Sequence, residues 1–374
     1  MNNILITGGA GFIGSRVALK LIQKGYKITI LDNLSEQIHG KNADIPDFIQ
    51  GKVKFIKGDV RNKEEWRIAL KSQDAVIHLA AETGTGQSMY EIYKYTDVNI
   101  GGTANLLDIL TNEDTQIKKV VVAASRAIYG EGKYICKNHG DVYPEERKDE
   151  DLRKGDYECK CPSCNGNLEL LKTDEDSKIH PTSIYGITKQ NQEQMVMVSC
   201  KSLSIPCVSF RYQNVYGPGQ SLNNPYTGIL SIFSTRIKNN NNINIFEDGK
   251  ETRDFVYIDD IVDATILGLE KNEANYEVFN VGSGVATDVM TVATALKEAY
   301  DSNISIEISG NYRLGDIRHN VADLSKIKKL LNFEPKVSFI EGINKFAKWV
   351  NEQEIKEDKY EQSIKEMKAK GLYK

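Results

Sequence analysis

The stretch NNILITGGAGFIGSRVALKLIQKGYKITILDN, residues 2–33, decides the fold. An apolar run next to the N-terminus predicts a β-strand, and Gly8, Gly11 and Gly14 follow that run directly. Apolar residues then recur at helical spacing, at Ile13, Val17, Leu21 and Ile22. A second apolar run ends in Asp32. The stretch therefore predicts a strand, a tight glycine turn, a helix and a second strand.

This glycine turn has the chemistry of a pyrophosphate site. Residues without a Cβ atom let the backbone amides at the start of the helix approach a dinucleotide closely. A carboxylate at the end of the second strand, here Asp32, accepts hydrogen bonds from both ribose hydroxyls and repels a 2′-phosphate. The pattern predicts a site that binds NAD in preference to NADP. The alternative is a plain tight turn.

The alternation of strand and helix continues along the first half of the chain. Apolar strands are predicted at 53–56, 75–79 and 120–123, and helical stretches separate them. Repeated βαβ units predict an α/β fold with a parallel, doubly wound sheet of the Rossmann type. Ligands bind at the carboxyl ends of such strands, where the sequence has Asp59, Val60, Leu79, Ala80 and Ala81. Asp59 suits an adenine amine, or it caps the following helix.

Length and composition describe an ordinary globular protein. The 374 residues include 40% hydrophobic and 27% charged residues, and the formal net charge is −4. No basic block indicates a nucleic-acid partner, and no apolar run is long enough to span a membrane. Because the first predicted strand begins so close to Met1, we expect no signal peptide and a cytoplasmic location, where thiols stay reduced.

A second group of residues has the chemistry of a proton relay. The strand at 120–123 ends near Ser125, and Tyr185 and Lys189 lie one helical turn apart. A nearby ammonium favours the phenolate, so we expect Lys189 to lower the pKa of Tyr185 towards neutrality. The phenolate would accept a proton from a sugar hydroxyl while a hydride leaves the same carbon for the nicotinamide. Taken by itself, a Tyr and a Lys one helical turn apart are more often exposed surface residues without a catalytic role.

Six segments together resemble the extended short-chain dehydrogenase/reductases, the family of NAD-dependent nucleotide-sugar epimerases and dehydratases. They are TGGAGFIG (7–14), SRAIYG (125–130), YGITK (185–189), RYQNVYGPGQ (211–220), RDFVYIDD (253–260) and RLGDIRH (313–319). The resemblance implies a catalytic triad of Ser125, Tyr185 and Lys189, and we expect a homodimer. It also implies contacts to NAD from Gly8, Gly11, Phe12, Ile13, Gly14, Asp32, Asn33, Asp59, Val60, Leu79, Ala80, Ala81, Asn99, Tyr185 and Lys189.

The residues after Ser125 indicate the branch of the family. Dehydratases of this family carry an Asp-Glu pair there to eliminate water, whereas this sequence has Arg126 and Ala127. Neither acts as a general acid or base, so dehydration is not expected. Epimerisation at C4 needs only oxidation, rotation of the 4-keto sugar and reduction on the opposite face. Segments 80–99 and 125–136 most resemble bacterial dTDP-L-rhamnose 4-epimerases, which implies a role in cell-surface polysaccharide biosynthesis.

After Arg211 the sequence becomes loop-rich, which predicts a smaller α/β substrate-binding lobe. The predicted divisions are 1–210 for NAD, 211–350 mainly for substrate with some segments returning to the first lobe, and 351–374 as a charged C-terminal helix. We predict that this last helix is solvated and has no chemical role. The resemblance implies substrate contacts from Arg126, Asn214, Arg253, Arg313 and Asp316. An arginine fork suits a diphosphate.

An insert at 131–180 separates Ser125 from Tyr185 and holds four of the six cysteines. Two chelating pairs, Cys136 with His139 and Cys161 with Cys164, have the spacing of a structural zinc site. Four N and S ligands would close a tetrahedral shell, so the metal would hold the loop together and would not catalyse. The insert is therefore predicted to be a zinc-ribbon-like flap. Cys159 is an alternative to His139, and reduced thiols without metal are the other alternative.

Three functions fit these observations. The first is an NAD-dependent 4-epimerase acting on a nucleotide-linked deoxyhexose. The second is a net nucleotide-sugar 4-dehydrogenase or 4-ketoreductase that releases its cofactor changed. The third is an NAD-sensing binding protein with a zinc-ribbon surface, which would have no need of Ser125, Tyr185 and Lys189.

Overall fold

The first strand is buried on both faces, as the apolar run at the N-terminus predicts. The structure is a computed structural model that describes residues 1–41, 43–224, 226, 228–354 and 357–374. Ile4, Leu5 and Ile6 have no exposed surface. A strand of this kind belongs in the middle of a parallel sheet that is covered by helices on both sides.

Strands and helices alternate through most of the described chain. The strands are β1 (Asn3–Thr7), β2 (Lys27–Asp32), β3 (Lys54–Lys57), β4 (Ala75–His78), β5 (Lys119–Ser125), β6 (Tyr134–Cys136), β7 (Gly140–Val142), β8 (Glu169–Leu170), β9 (Cys207–Tyr212), β10 (Asn214–Tyr216), β11 (Ile243–Ile245), β12 (Thr252–Tyr257), β13 (Glu277–Val281), β14 (Ala286–Asp288) and β15 (Ile306–Ile308). The α-helices are α1 (Phe12–Gln23), α2 (Glu36–His39), α3 (Lys63–Leu70), α4 (Thr85–Ser88), α5 (Ile92–Tyr95), α6 (Gly102–Asn112), α7 (Asp149–Leu152), α8 (Ile184–Ser202), α9 (Ile229–Lys238), α10 (Ile258–Glu270), α11 (Val289–Ala299), α12 (Ser325–Leu331), α13 (Phe339–Asn351) and α14 (Tyr360–Ala369). Within these ranges, no helix has both the length and the hydropathy of a membrane span.

Seven parallel strands form the main sheet, in the order β13-β9-β5-β4-β1-β2-β3. Helices α1 and α10 pack together on one face, and α3, α6 and α8 cover the other. The strand order reverses between β1 and β4, which opens a crevice at the carboxyl edge of the sheet. The predicted doubly wound, Rossmann-type fold is thus confirmed.

The smaller lobe is built from short strands and the helices that cover them. Strand β12 pairs with β10 in parallel and with β14 in antiparallel orientation, and β11 pairs with β15. Helix α11 packs against α9 and α13. Strand β9 spans the predicted boundary after residue 210, and α10 and β13 are later segments that return to the main sheet.

The insert has a small sheet of its own. Strand β6 pairs in antiparallel orientation with β7 on one side and β8 on the other. Its apolar cluster is small, with Tyr134, Cys136, Val142, Cys159 and Cys161 as the buried members. A cluster of this size contributes little burial energy to set against the ordering of so long a polar segment.

The C-terminal segment departs from the prediction of a solvated helix. Helix α14 buries one face, formed by Tyr360, Ser363, Ile364 and Met367. The chain after the helix pairs with the loop before Asp316, since the amide of Leu314 donates to the carbonyl of Leu372 at 3.0 Å. The prediction was wrong because the exposed charged residues Glu361, Lys365 and Lys368 are interleaved with residues of a buried face.

Candidate active site

One cavity of about 540 Å³ runs from the glycine turn to the smaller lobe. Its walls bring together all the predicted cofactor and substrate residues except Asn99. From the first lobe come Gly8, Gly11, Phe12, Ile13, Gly14, Asp32, Asn33, Asp59, Val60, Leu79, Ala80, Ala81, Ser125, Arg126, Tyr185 and Lys189. From the smaller lobe come Asn214, Arg253, Arg313 and Asp316.

The glycine turn is as tight as the sequence predicts. Gly8 has a φ of +67°, and a Cβ atom there would lie 2.8 Å from the amide nitrogen of Ala80. A Cβ atom at Gly14 would lie 2.2 Å from the carbonyl oxygen of Gly8. No side chain caps α1 at Gly11, so the amides of its first turn are free for a pyrophosphate.

Asp32 lies at the end of β2 with its carboxylate held by the backbone. The amides of Ala10 and Leu34 donate to its two oxygens at 3.0 and 2.9 Å. These bonds fix the carboxylate at the cavity wall and leave further lone pairs on each oxygen, as a ribose contact requires. The residues of this end of the cavity therefore fit a dinucleotide.

Asp59 also lines the cavity, but it is strongly paired. Arg61 donates to it at 2.8 and 2.9 Å and Asn33 donates at 2.9 Å, so the pKa of Asp59 falls to about 2. The alternative that Asp59 caps the following helix is not realised. Asn62 caps α3 instead, and its side chain accepts from the amide of Glu64.

Asn99 does not reach the cavity. It is fully buried, and its amide group bonds the backbone of Glu82 at 2.8 and 3.1 Å and the hydroxyl of Thr188 at 2.9 Å. The expectation that Asn99 faces the cofactor is therefore corrected. Its hydrogen bonds instead join the loop after β4 to the helix that carries Tyr185.

Ser125 and Tyr185 meet at the centre of the cavity. Ser125 ends β5, and the start of α8 presents Tyr185. The Ser125 hydroxyl is close enough to the phenol to lower the pKa of Tyr185, and the charge of Arg126 acts in the same direction. Burial is the larger effect, and it raises this pKa above its ordinary value. Both hydroxyl-bearing residues thus line the cavity where a reacting hydroxyl would bind.

Lys189 differs from its predicted electrostatic role. Its ammonium donates to Gln192 at 2.7 Å, and burial lowers its pKa to about 7. At neutral pH the group is thus only partly charged, and it is directed along α8 towards Gln192. The charge of Arg126 favours the Tyr185 phenolate, and the electrostatic role of Lys189 stays a prediction.

Arg126 follows Ser125 directly and has no hydrogen bond or ion pair within the described ranges. Burial and the nearby charge of Arg253 lower its pKa to about 10. Keeping an unpaired guanidinium in a cavity wall costs free energy unless a ligand supplies the missing acceptor. Arg126 is thus positioned for an oxygen-rich group next to the reacting hydroxyl.

The smaller lobe presents two further arginines. Arg253 donates to the backbone carbonyls of Thr252, Ile317 and Arg318 at 2.7 to 3.0 Å. Arg313 pairs with Asp316 at 2.7 Å. Three guanidinium groups therefore line one side of the cavity, which suits a diphosphate.

The insert reaches this arginine-rich end through Arg147. This side chain is 4% exposed, lies 2.8 Å from Glu247 and 3.5 Å from Glu131, and donates to the carbonyl of Asp316 at 2.8 Å. No sequence motif indicated the contact. It places part of the insert directly behind the loop that carries Arg313.

Two other parts of the cavity wall were not predicted from the sequence. Glu251 lies two residues before Arg253, is 8% exposed and lines the cavity. The buried face of α14 lines it as well. The spacing of Tyr360, Ile364 and Met367 at i, i+4 and i+7 was a visible signal of an apolar face within the charged tail.

The four predicted metal ligands converge at the tip of the insert. Their ligand atoms all lie within 4.8 Å of one another. The Cys136 sulfur is 3.5 Å from His139 Nδ1 and 3.8 Å from the Cys164 sulfur, and the Cys161 sulfur is 3.6 Å from His139 Nδ1. Tetrahedral zinc places S···S pairs ~3.8 Å and S···N pairs ~3.6 Å apart. The arrangement fits a closed tetrahedral shell.

Cys159 lies outside this group. It is buried, and its thiol contacts Glu131 and Tyr134. The alternative in which Cys159 replaces His139 is therefore not the arrangement in the structure.

Comparison with known proteins agrees with this geometry. The sequence model of the NAD dependent epimerase/dehydratase family matches residues 4–150 and 164–282. The chain belongs to this family of enzymes, as the motifs predict.

Several relatives are nucleotide-sugar 4-epimerases. The dTDP-L-rhamnose 4-epimerase of Burkholderia thailandensis is 35% identical over 94% of this chain and 95% of its own. The UDP-glucose 4-epimerase of Thermotoga maritima, solved with UDP-glucose, has a TM-score of 0.75 and 31% identity over 94% of this chain and 99% of its own. The UDP-glucuronic acid 4-epimerase of Bacillus cereus, solved with UDP-glucuronic acid and NAD, has a TM-score of 0.75 and 25% identity over 94% and 99%.

Proposed function

We propose that this chain catalyses the NAD-dependent 4-epimerisation of a nucleotide-linked deoxyhexose, and that dTDP-L-rhamnose is the substrate. The observation that carries the proposal is that Ser125 and Tyr185 line one cavity, which joins the dinucleotide edge to the arginine-rich end. The similarity to the Burkholderia thailandensis enzyme supports the choice of sugar. Arg126 in place of an acid–base pair supports epimerisation over dehydration.

The proposed reaction assigns one proton transfer to Tyr185. Bound NAD supplies the hydride acceptor and later the hydride donor at C4. The Tyr185 oxygen accepts the proton of the 4-hydroxyl, while Ser125 hydrogen-bonds the same sugar oxygen. After the 4-keto sugar rotates and its opposite face is reduced, Tyr185 returns the proton to the oxygen at C4. Arg253 and Arg313 hold the diphosphate throughout, so the sugar rotates about a fixed anchor.

The same proposal includes a structural zinc ion at Cys136, His139, Cys161 and Cys164. The sulfur and nitrogen spacings support this choice of metal, because they match the edges of a zinc tetrahedron. Four protein ligands leave no open position for water, so the ion would order the insert and take no part in the reaction.

Product analysis tests the proposed reaction. Purified protein is incubated with dTDP-, UDP- and GDP-linked sugars, product stereochemistry is read by NMR, and cofactor absorbance is followed. We expect inversion at C4 of dTDP-L-rhamnose with no net change in absorbance. We also expect NAD to remain bound through gel filtration, because an epimerase returns the hydride to the same substrate. Net formation of NADH, or complete dependence on added NAD, would instead support the dehydrogenase or ketoreductase.

The homodimeric state, the cytoplasmic location and the role in cell-surface polysaccharide synthesis remain predictions. Sedimentation at several protein concentrations checks the first. The last follows only if the sugar assignment holds.

A further inference from the structure

Lys189 lines the cavity, and a second residue of the same helix holds its ammonium. Among the described residues, the only hydrogen-bond acceptor of that ammonium is the side-chain oxygen of Gln192, at 2.7 Å. Both residues lie on α8, and they are 3% and 1% exposed. A buried ammonium is costly unless hydrogen-bond acceptors replace its water. The charged form of Lys189 therefore depends on this contact.

The nearest acid does not take the place of this acceptor. Glu193 follows Gln192 directly, but its carboxylate pairs with Arg211 at 2.7 Å and accepts from Ser209 at 2.9 Å. The charge of Glu193 raises the pKa of Lys189, while burial is the larger effect and lowers that pKa to about 7. A neutral carboxamide is thus the partner in direct contact with the ammonium.

Buried hydrogen bonds fix the orientation of the Gln192 amide. The hydroxyl of Thr103 donates to the carbonyl of Asn99 at 2.6 Å, so its oxygen is left as an acceptor. Gln192 Nε2 donates to that oxygen at 2.8 Å, which turns the amide oxygen towards Lys189. The reversed amide would place its oxygen against an oxygen whose proton is already used, and its NH2 group against an ammonium.

His78 continues this chain of hydrogen bonds to the edge of the main sheet. Its Nε2 lies 3.0 Å from the Thr103 oxygen, and its Nδ1 lies 2.7 Å from the hydroxyl of Thr7. Burial and the charge of Lys189 lower the pKa of His78 to about 3, so the ring is neutral at pH 7. Because the Thr103 oxygen accepts, the ring proton is on Nε2, and Nδ1 accepts from Thr7. Thr7 in turn accepts from the amide of Ala80 at 3.3 Å.

We propose that Gln192 is the positioning residue of Lys189, and that the buried chain from Thr7 to Gln192 holds one fixed acceptor against the ammonium. One of the three N–H donors of Lys189 is thereby used, and two remain for groups in the cavity. Among the described residues of the cavity wall, Lys189 is present and Gln192 is not, so Gln192 acts through Lys189. This inference rests on the proposed function for its part in the reaction.

Carbon-13 NMR of the NAD-loaded full chain, labelled at lysine Cε, tests the contact without substrate. The Lys189 resonance is identified by its loss in Lys189→Arg. Gln192→Met removes the acceptor and keeps the length of the side chain. The titration midpoint of Lys189 should therefore fall by about one pH unit, as expected for one hydrogen bond to a charged group. Gln192→Glu places a charge on the same oxygen, so the midpoint should rise. Gln194→Met, on an exposed side chain of α8, should leave it unchanged.

Steady-state kinetics tests whether the contact affects turnover. With a midpoint one unit lower, the charged fraction of Lys189 at pH 7 falls from about a half to about a tenth. We expect kcat of Gln192→Met to fall about fivefold at this pH, with KM for the sugar nucleotide little changed. Gln192→Glu should recover most of the lost turnover, because it again offers Lys189 an oxygen.

An unchanged Lys189 midpoint in Gln192→Met would overturn the proposal. Shifts in the same direction for the Met and Glu variants would overturn it as well, because altered packing alone does not follow the charge at this position. Wild-type kcat in Gln192→Met would overturn the part of Gln192 in the reaction. If the wild-type protein inverts no nucleotide sugar, the proposed function fails, while the NMR titration still decides the contact. The two failures are thus distinguishable.

Discussion

The insert at 131–180 and the tail at 351–374 are both polar, charged segments, and the sequence suggests a role for only one of them. The family match breaks off within the insert, at 151–163, and ends at 282, well before the tail. In the structure the two segments meet, since Lys374 pairs with Asp149 at 2.8 Å. Each also contacts the loop that carries Arg313 and Asp316.

The difference lies in how each segment is held. The insert has a small apolar cluster and four ligand atoms that converge at its tip. Candidate metal ligands are recognisable from residue type and spacing, so the sequence predicts a group of this kind. The tail depends on where one face of a short helix docks, and spacing alone does not reveal a docking partner. Four experiments separate the two segments from the catalytic centre and from each other.

The largest effect is expected at Tyr185, which lies outside both segments. Tyr185→Phe removes the proton acceptor and keeps the ring, so kcat should fall roughly 10³-fold with KM little changed. Steady-state kinetics with the sugar nucleotide measures this, and Tyr93→Phe on an 81% exposed side chain serves as the control. Turnover within a few-fold of wild type would remove Tyr185 from its assigned role.

Loss of a metal ligand should affect the insert and leave the tail in place. We expect the wild-type protein, purified without chelators, to carry about one zinc per chain. Cys161→Ser should lose that metal and become sensitive to proteolysis between residues 131 and 179, because the polar segment loses its main constraint.

Cys159→Ser is the matched control for this loss. Its thiol lies outside the four-ligand group, so metal analysis should find the zinc retained. Metal-free wild-type protein would contradict the proposed site. Equal metal loss in the two variants would contradict the ligand assignment.

The contact between the insert and the substrate loop is expected to have a smaller effect. Arg147→Met leaves Glu131 buried without its nearest cation and removes a donor to Asp316, so the free energy of unfolding should fall by about 3 kcal/mol. Urea denaturation measures the change, and KM should rise while kcat holds. Arg153→Met, on an exposed side chain of the same insert, should change neither. An unchanged free energy of unfolding in Arg147→Met would show that the contact does not stabilise the protein.

The smallest effect is a shift of pH dependence, and it should be confined to the catalytic centre. The charge of Arg126 favours the Tyr185 phenolate, so Arg126→Met should raise the pKa of Tyr185 further. The rising limb of kcat/KM with pH should therefore move to higher pH. Variants of the insert and of the tail should leave that limb in place. If Cys161→Ser shifts the rising limb of the pH profile, the insert and the catalytic centre are not independent. If Arg126→Met leaves that limb unchanged, Arg126 does not control the pKa of Tyr185.

Much of the first lobe could be predicted because its signals are local. Apolar runs and glycine spacing specify β1, the turn and α1, and the same alternation specifies the parallel sheet. The chelating pairs of the insert are local as well. By contrast, Asn99 was assigned to the cofactor by its place in a motif, yet its amide is fully engaged with Glu82 and Thr188. Motif position does not show where a side chain finds its hydrogen-bond partners.

Residue type and spacing in the sequence determined the fold class, the dinucleotide edge and the four candidate metal ligands at the tip of the insert, and the family motifs indicated Ser125 and Tyr185. Only the tertiary structure decided that the charge of Arg126 acts on Tyr185 and that Lys189 donates to Gln192, because both depend on the direction of each side chain and on its burial. Tertiary structure also decided that Arg147 supports the substrate loop and that α14 lines the cavity. These contacts join segments far apart in the chain, and their energies come from burial and pairing that exist only after the chain has folded.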